Sequence, residues 1–181
     1  AITFYNSFAR TYEGHGSDRA ILAGLMDFKT DDERIRDALN IAKKEGIEFS
    51  FKSVGNASTY HPNTVKLILT SGEKTVEVVG ESLGGGLINI SYVNRFRANI
   101  SLNLHTLILK ANDRPGAIAF ISNIIANDNC NIATMSVSRI GKNDFASHFI
   151  EMDSGLSDIT IKYLNHLEWV KEVIYIPNID M

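Results

Sequence analysis

The second half of the chain predicts four strands and two helices in a specific order, and this order restricts the possible folds more than any other feature. Runs of apolar and β-branched residues predict four strands, and apolar residues at helical spacing predict two helices between them. We expect the strands at Leu104 to Ala111, Asn131 to Ile140, Phe145 to Met152 and Val170 to Ile176, and the helices around Ile118 to Ile125 and at Ser157 to Leu167.

The predicted order, strand-helix-strand-strand-helix-strand, is that of the ferredoxin-like split βαβ arrangement. Pro115 lies where the first turn of a helix tolerates proline, and a turn at residues 141–144 joins the two middle strands. We therefore predict a compact α+β domain at the C-terminal end.

The first half of the chain predicts a different mixture of helices and strands. A strand at Ile2 to Phe8 precedes a helix at Ala20 to Phe28, which Ser17 is expected to cap. Thr30 to Glu33 has the pattern of a capping box for a second helix, which Gly46 should end. Four further strands are expected at Ile47 to Val54, Thr64 to Thr70, Thr75 to Glu81 and Leu87 to Val93.

Residues Asn94 to Asn103 lack a clear pattern and form the predicted linker. We therefore expect an α/β protein of the α+β type with two domains, residues 1–99 and 100–181. Because residue 1 is not Met and already reads as part of a strand, we also expect the N-terminus to be incomplete.

Composition excludes several functional classes. A net charge of -3 without a long basic run gives no reason to expect nucleic acid as a partner. The longest apolar stretches are too short to cross a bilayer, and we expect a cytoplasmic protein. Cys130 is the single cysteine, so this chain cannot ligate an iron–sulfur cluster through its own thiolates. We expect Cys130 to be a buried, small apolar residue.

The segment Asn112-Asp113-Arg114-Pro115-Gly116 lies between the first strand and first helix of the C-terminal domain. Glycine at a helix entrance allows a ligand to approach backbone N–H groups, and those groups favour a carboxylate. Segment and element order together resemble the ACT domain, which commonly binds a free amino acid between two copies. The resemblance makes Asn112, Asp113 and Gly116 candidate effector-binding residues; a turn without a ligand, in a module that only dimerises, is the alternative.

In the first domain, His15 lies between Gly14 and Gly16, so its ring has little cover. Imidazole exchanges protons near neutral pH, which suits general acid–base catalysis. A surface histidine without a role would show the same pattern, and on these residues alone that reading is favoured.

A series of matching segments, taken in order, changes this weighting. They are Tyr5 to Ala9, Gly14 to Asp18, Ala20 to Leu25, His61 to Thr64, and Ser82 to Ile88. Together they resemble the bacterial L-serine dehydratases of the iron–sulfur type, and specifically their β subunit. The first domain also resembles the allosteric substrate-binding domain of some phosphoglycerate dehydrogenases.

This resemblance implies the conversion of L-serine to pyruvate and ammonia. It implies a [4Fe–4S] cluster that acts as a Lewis acid on the substrate hydroxyl and is ligated by a partner α subunit. It puts the catalytic proton transfer at the serine α-carbon on His15. We expect the chain to be inactive alone and to form a homodimer through its ACT domain.

The matched segments also provide candidate substrate-binding residues. Pro62 keeps His61 out of helical geometry, and three consecutive glycines permit close approach of a ligand or partner chain. The candidates are His61, Asn63, Gly84, Gly85 and Gly86. Either segment could instead only shape its loop.

The family's Ser-Ser-His-Thr segment does not occur in this chain, which we expect to reflect the incomplete N-terminus. The main alternative function is a stand-alone amino-acid-binding regulator without catalysis. A hydrolase built around Ser17 or Ser82 is weaker, because the chain has no Gly-x-Ser-x-Gly elbow.

Overall fold

A computed structural model of the chain describes residues 1–57, 60–139, 141–142 and 144–178. The chain divides into two compact units, Ala1–Glu81 and Ser82–Met181. Two residues of the predicted elements, Ile140 and Asn143, lie outside the described residues. Among the helices of the described residues, none is both long and apolar enough to cross a bilayer.

The first unit is a sheet with three helices. Strand β1 lies between β2, to which it runs parallel, and β3, to which it runs antiparallel; β3 pairs in turn with β4. A 3-10 turn at Glu33–Asp37 precedes the third helix. The elements are β1 (Ile2–Asn6), α1 (Phe8–Thr11), α2 (Ser17–Leu25), α3 (Ala38–Lys44), β2 (Phe51–Val54), β3 (Asn63–Ser71) and β4 (Lys74–Gly84), which leads into the second unit.

The core of this unit follows from the alternation in β1. Ile2 and Phe4 point to one face of the sheet and are 2% and 0% exposed. They pack with Leu22 and Ala23 of α2 and with two alanines of α3. Each fully buried large apolar side chain stabilises the fold by roughly 1.5–3 kcal/mol. The helices are therefore held on this face of the sheet, and the turn that carries His15 is held with them.

Three local predictions for this unit were wrong. Strand β1 ends at Asn6, which has the left-handed backbone angle φ +53°, so residues 8–11 form a helix instead of continuing the strand. Helix α2 is capped by Gly16 and not by Ser17. In the predicted capping box, the side chain of Asp32 accepts the cap hydrogen bond, from the backbone N–H of Arg34.

The second unit contains the predicted βαββαβ series. Its sheet has the order β10-β7-β9-β8, and all neighbouring strands are antiparallel. This confirms the predicted fold class. The elements are β5 (Leu87–Val93), β6 (Phe96–Ile100), β7 (His105–Asn112), α4 (Ala117–Asn127), β8 (Ile132–Arg139), β9 (Phe145–Met152), α5 (Asp158–His166) and β10 (Val170–Ile176). Helix α4 begins after Gly116, so Pro115 precedes the helix and does not lie in its first turn.

The central strands of this sheet are buried on both faces. On one face, Leu107 and Leu109 of β7 pack with Ile121 and Ile125 of α4. On the other face, β5 and β6 form an antiparallel pair whose Phe96 and Ile100 pack with Ile108 and Phe149. The sequence therefore shows nearly continuous apolar runs in β7 and β9 in place of alternation.

Residues 94–103, predicted as a linker, include strand β6 in the compact second unit. The domain boundary predicted between residues 99 and 100 stays a prediction.

Candidate active site

His15 lies in the short turn that joins α1 to α2. The ring of Tyr12, at the end of α1, stacks on Phe4 with centroids 4.1 Å apart, which fixes this end of the turn to the core. The backbone N–H of His15 donates to the carbonyl of Thr11 at 3.0 Å, and that of Ser17 donates to Tyr12 at 2.8 Å. The turn backbone is thus anchored, while the imidazole of His15 is exposed.

A side chain at Gly16 would be strained in this turn. Its φ of +69° lies in the left-handed region, and a Cβ atom there would lie 3.3 Å from the guanidinium of Arg19. Two residues later, Asp18 is only 8% exposed, and its Oδ1 atom has no hydrogen-bond partner among the described residues. The Nε of Arg19 is 3.8 Å from that oxygen. A buried carboxylate oxygen without a direct donor thus lies three positions after His15.

The segment around His61 lies at the start of β3, beside the end of β1. Asn6 and Asn63 are paired across the two strands, and the backbone N–H of Phe8 donates to the carbonyl of Pro62 at 3.2 Å. The hydroxyl of Thr64, which is fully buried, donates to the carbonyl of His61 at 2.8 Å. The segments Asn6 to Phe8 and His61 to Thr64, far apart in sequence, are therefore brought together.

The ring of His61 is held in one tautomer. Its Nδ1 accepts a hydrogen bond from the backbone N–H of Asn63 at 3.2 Å. Because the acceptor nitrogen cannot also carry the proton in a neutral ring, the proton lies on Nε2. His61 can therefore donate a hydrogen bond to a ligand through Nε2.

The predicted glycine turn lies between β4 and β5. Gly84, Gly85 and Gly86 have φ angles of +89°, +61° and +81°, and the space beside each is open. Only glycine adopts three consecutive left-handed conformations without strain. The turn thus needs its glycines for the backbone conformation, whether or not a ligand approaches it.

The predicted effector-binding residues lie together at the end of β7 and the start of α4. Gly116 caps α4 with φ +83°. The carboxylate of Asp113 accepts a hydrogen bond from Arg139 of β8 at 2.6 Å, and its backbone N–H donates to Asp144 at 2.8 Å. Asn112 and Asp113, but not Gly116, line a surface pocket of about 380 Å³. The other lining residues are Arg114, Asp144, Phe145 and Trp169.

Cys130 is buried, as predicted, and its Sγ donates to the carbonyl of Ser154 at 2.9 Å. Among the described residues, no group of three or more His, Cys, Asp or Glu side chains is placed to hold a metal ion. The chain's own donor groups therefore do not fit an iron–sulfur cluster, which needs three or four thiolates.

No protein-family model matches the chain, but comparison with individual known proteins identifies the family. The probable L-serine dehydratase β chain of Bacillus subtilis (strain 168) is 38% identical over 177 residues, which are 98% of this chain and 80% of the relative. The L-serine dehydratase β chain of Peptoniphilus asaccharolyticus is 30% identical over 156 residues, 85% of this chain and 70% of the relative.

The chain belongs to the L-serine dehydratase β-chain family. This confirms the resemblance drawn from the matched segments, and the chain is homologous to subunits of a lyase. The D-3-phosphoglycerate dehydrogenase of Bacillus subtilis (strain 168) is 26% identical over 90% of this β chain but only 30% of its own length. That partial match agrees with the predicted likeness to phosphoglycerate dehydrogenases.

Sequence reasoning did not single out two residues of this β chain that organise the candidate sites. Asn6 was noted only as part of a matched segment. Arg139 was not noted at all, although it pairs with Asp113. Asparagine directly after an apolar strand was the available signal for Asn6, because asparagine is enriched in left-handed conformations. Arg139 carried no local signal, since its partner is 26 residues away.

Proposed function

We propose that this chain is the β subunit of an L-serine ammonia-lyase that converts L-serine to pyruvate and ammonia together with an α subunit. The observation that carries the proposal is the exposed imidazole of His15 in an anchored turn, within a chain 38% identical to a β chain of this family. An exposed ring on a fixed backbone can meet a substrate that another subunit also holds.

His15 moves the proton at the α-carbon of serine in this proposal. Loss of that proton and of the β-hydroxyl forms an enamine, which tautomerises and is hydrolysed to pyruvate and ammonia. A neutral imidazole accepts the α-proton, and the resulting imidazolium can return a proton to a later intermediate. Activation of the hydroxyl as a leaving group is not assigned to this chain.

The substrate carboxylate is proposed to bind near His61 and Asn63. Nε2–H of His61 is a donor because Nδ1 is occupied, and a carboxylate is the acceptor that such a donor binds most strongly. The glycine turn at residues 84–86, which belongs to the second unit, is proposed separately to offer its backbone N–H groups to a ligand or a partner chain.

The [4Fe–4S] cluster is proposed to belong to the α subunit. A cluster needs three or four thiolates, and Cys130, the single cysteine here, is buried and bonded to Ser154. The β chain is therefore expected to be inactive without its partner.

The ACT-type unit is proposed to bind serine or another amino acid and to form a homodimer. Gly116 opens the N-terminus of α4 to a carboxylate, and Asp113 lies beside it. Strand β8 is one of the two edge strands of its sheet, with Val137 41% exposed, and edge strands are templates for pairing with a second copy.

The test is anaerobic reconstitution. The β chain is mixed with a serine dehydratase α subunit, and pyruvate formed from L-serine is measured. We expect turnover only with both chains, a loss of about 10²–10⁴-fold in His15→Ala, and normal turnover in His166→Ala, which alters an exposed histidine at the end of α5. Full activity of assembled His15→Ala would exclude the catalytic role.

The second candidate, a stand-alone amino-acid-binding regulator, is favoured by the partial match to phosphoglycerate dehydrogenases. It predicts calorimetric binding of an amino acid to the β chain with no pyruvate formed by the reconstituted pair.

A further inference from the structure

Among the described residues, the side chain of Asn6 forms its hydrogen bonds with one loop. Its Nδ2 donates to the backbone carbonyls of Ala57, Tyr60 and His61 at 3.0, 3.1 and 3.3 Å. Its Oδ1 accepts from the backbone N–H of Ala57 at 2.7 Å. The two amide hydrogens are thus shared among three carbonyl oxygens. The orientation of the amide group is fixed, because Nδ2 must face these carbonyls and Oδ1 must face the N–H of Ala57.

The backbone of Asn6 contributes to the same geometry. Its φ of +53° ends β1 and turns the chain into α1. Asn6 therefore lies at the junction of three segments: the end of β1, the start of α1 and the loop before β3. Asparagine tolerates this conformation better than most residues, because its short polar side chain can bond locally.

We propose that Asn6 is a positioning residue for serine binding, acting through the segment of residues 60–64. The proposal rests on the proposed function, in which His61 and Asn63 hold the substrate carboxylate. The amide of Asn6 fixes the carbonyl of His61, and the backbone N–H of Asn63 fixes the ring of His61. Asn6 thereby sets the direction of the Nε2–H donor without touching the substrate itself.

Two variants separate the side-chain bonds from the backbone conformation. Asn6→Gly keeps the left-handed backbone without strain and loses all four hydrogen bonds. Asn6→Asp keeps the acceptor for Ala57 but points a carboxylate oxygen at three carbonyl oxygens, which repels them. The matched controls are Asn129→Gly and Asn129→Asp, because Asn129 has φ +56° and is exposed at the end of α4.

The measurement is the separation of KM from kcat for L-serine in the anaerobically reconstituted pair. We expect KM to rise about tenfold in Asn6→Gly and further in Asn6→Asp, with kcat changed much less, because lost substrate orientation weakens binding. The Asn129 variants should keep the KM of the unaltered chain. A purely structural role would lower the amount of active enzyme, and hence the apparent kcat, at constant KM; that result, or an unchanged KM, would overturn the proposal.

Hydrogen exchange of the free β chain gives a readout that does not depend on turnover. The amides of Ala57 and Asn63 should exchange faster in Asn6→Gly than in the unaltered chain, and unchanged protection would refute the proposed role. If the unaltered pair forms no pyruvate, the proposed function fails, and the exchange result still decides whether Asn6 orders this segment.

Discussion

Glu151 and Ser101 are joined by two hydrogen bonds to a single carboxylate oxygen. Oε1 of Glu151 accepts from the backbone N–H of Ser101 at 2.8 Å and from its hydroxyl at 2.6 Å. Oε2 accepts from the hydroxyl of Thr134 at 3.1 Å, and Glu151 is only 5% exposed. The end of β6 is therefore tied to β9 and β8 through one buried carboxylate.

Replacing Glu151 by alanine should lower the free energy of unfolding by about 2–3 kcal/mol, because three hydrogen bonds to a buried carboxylate are lost. Glu151→Gln keeps one side-chain oxygen as an acceptor and should cost about 1 kcal/mol. Urea denaturation measures both values. Equal losses in the two variants would contradict this account.

The buried side chain of His148 predicts acid sensitivity. His148 is 1% exposed, and its Nδ1 has no partner among the described residues. Burial lowers the pKa of His148 below 6.5, outweighing the hydrogen bond to the Leu109 backbone and the nearby charge of Asp113. The unfolded chain therefore takes up a proton near pH 6.5 that the folded chain does not.

It follows that the free energy of unfolding should fall as the pH drops below about 6.5, by at most about 1.4 kcal/mol per pH unit from this residue, until the folded pKa is reached. His148→Met should flatten this dependence between pH 6.5 and 5, measured by denaturation at each pH. The control His166→Gln changes an exposed side chain and should leave the pH dependence of the free energy of unfolding as it is in the unaltered chain. An identical slope in His148→Met would assign the acid sensitivity to other groups.

Gly155 and Gly24 should respond oppositely to alanine. A Cβ at Gly155 would lie 2.8 Å from the hydroxyl of Tyr175, which is hydrogen-bonded to Nδ1 of His105 at 2.8 Å. Gly155→Ala should therefore destabilise the chain by about 1–3 kcal/mol. Gly24, inside α2, has open space around it, so Gly24→Ala should stabilise by up to about 1 kcal/mol. Thermal unfolding distinguishes the two signs.

Effector binding is predicted to depend on Asp113. Asp113→Asn should weaken binding of the amino acid, measured by calorimetry, about tenfold. The reason is that the charge-assisted hydrogen bond between Arg139 and the carboxylate of Asp113 is lost. Asp158→Asn, which removes an exposed carboxylate at the start of α5, should leave binding unchanged. Absence of heat with every amino acid tested on the unaltered chain would favour a module that only dimerises.

Sequence reasoning predicted most elements because their signals are local. The bounds of β5, β9 and β10 match the predictions. Helix α5 lies within the predicted span Ser157 to Leu167, and the structure adds that Ser157 caps it, accepting from the backbone N–H of Thr160. Helix α1 was missed because it has only four residues and follows a strand that only the left-handed conformation of Asn6 ends. Four residues are too few for helical periodicity to appear.

By itself the sequence determined the order of most elements, with α1 and β6 missed, together with the glycine turns and the family, since all of these depend on residue types at short spacing. Only the tertiary structure decided that Asn6 holds the His61 loop, that Arg139 pairs with Asp113, and that β5 and β6 cover the second face of the C-terminal sheet. The physical reason is that hydrogen bonds and packing join groups by distance in space, whereas a sequence pattern records only neighbours along the chain.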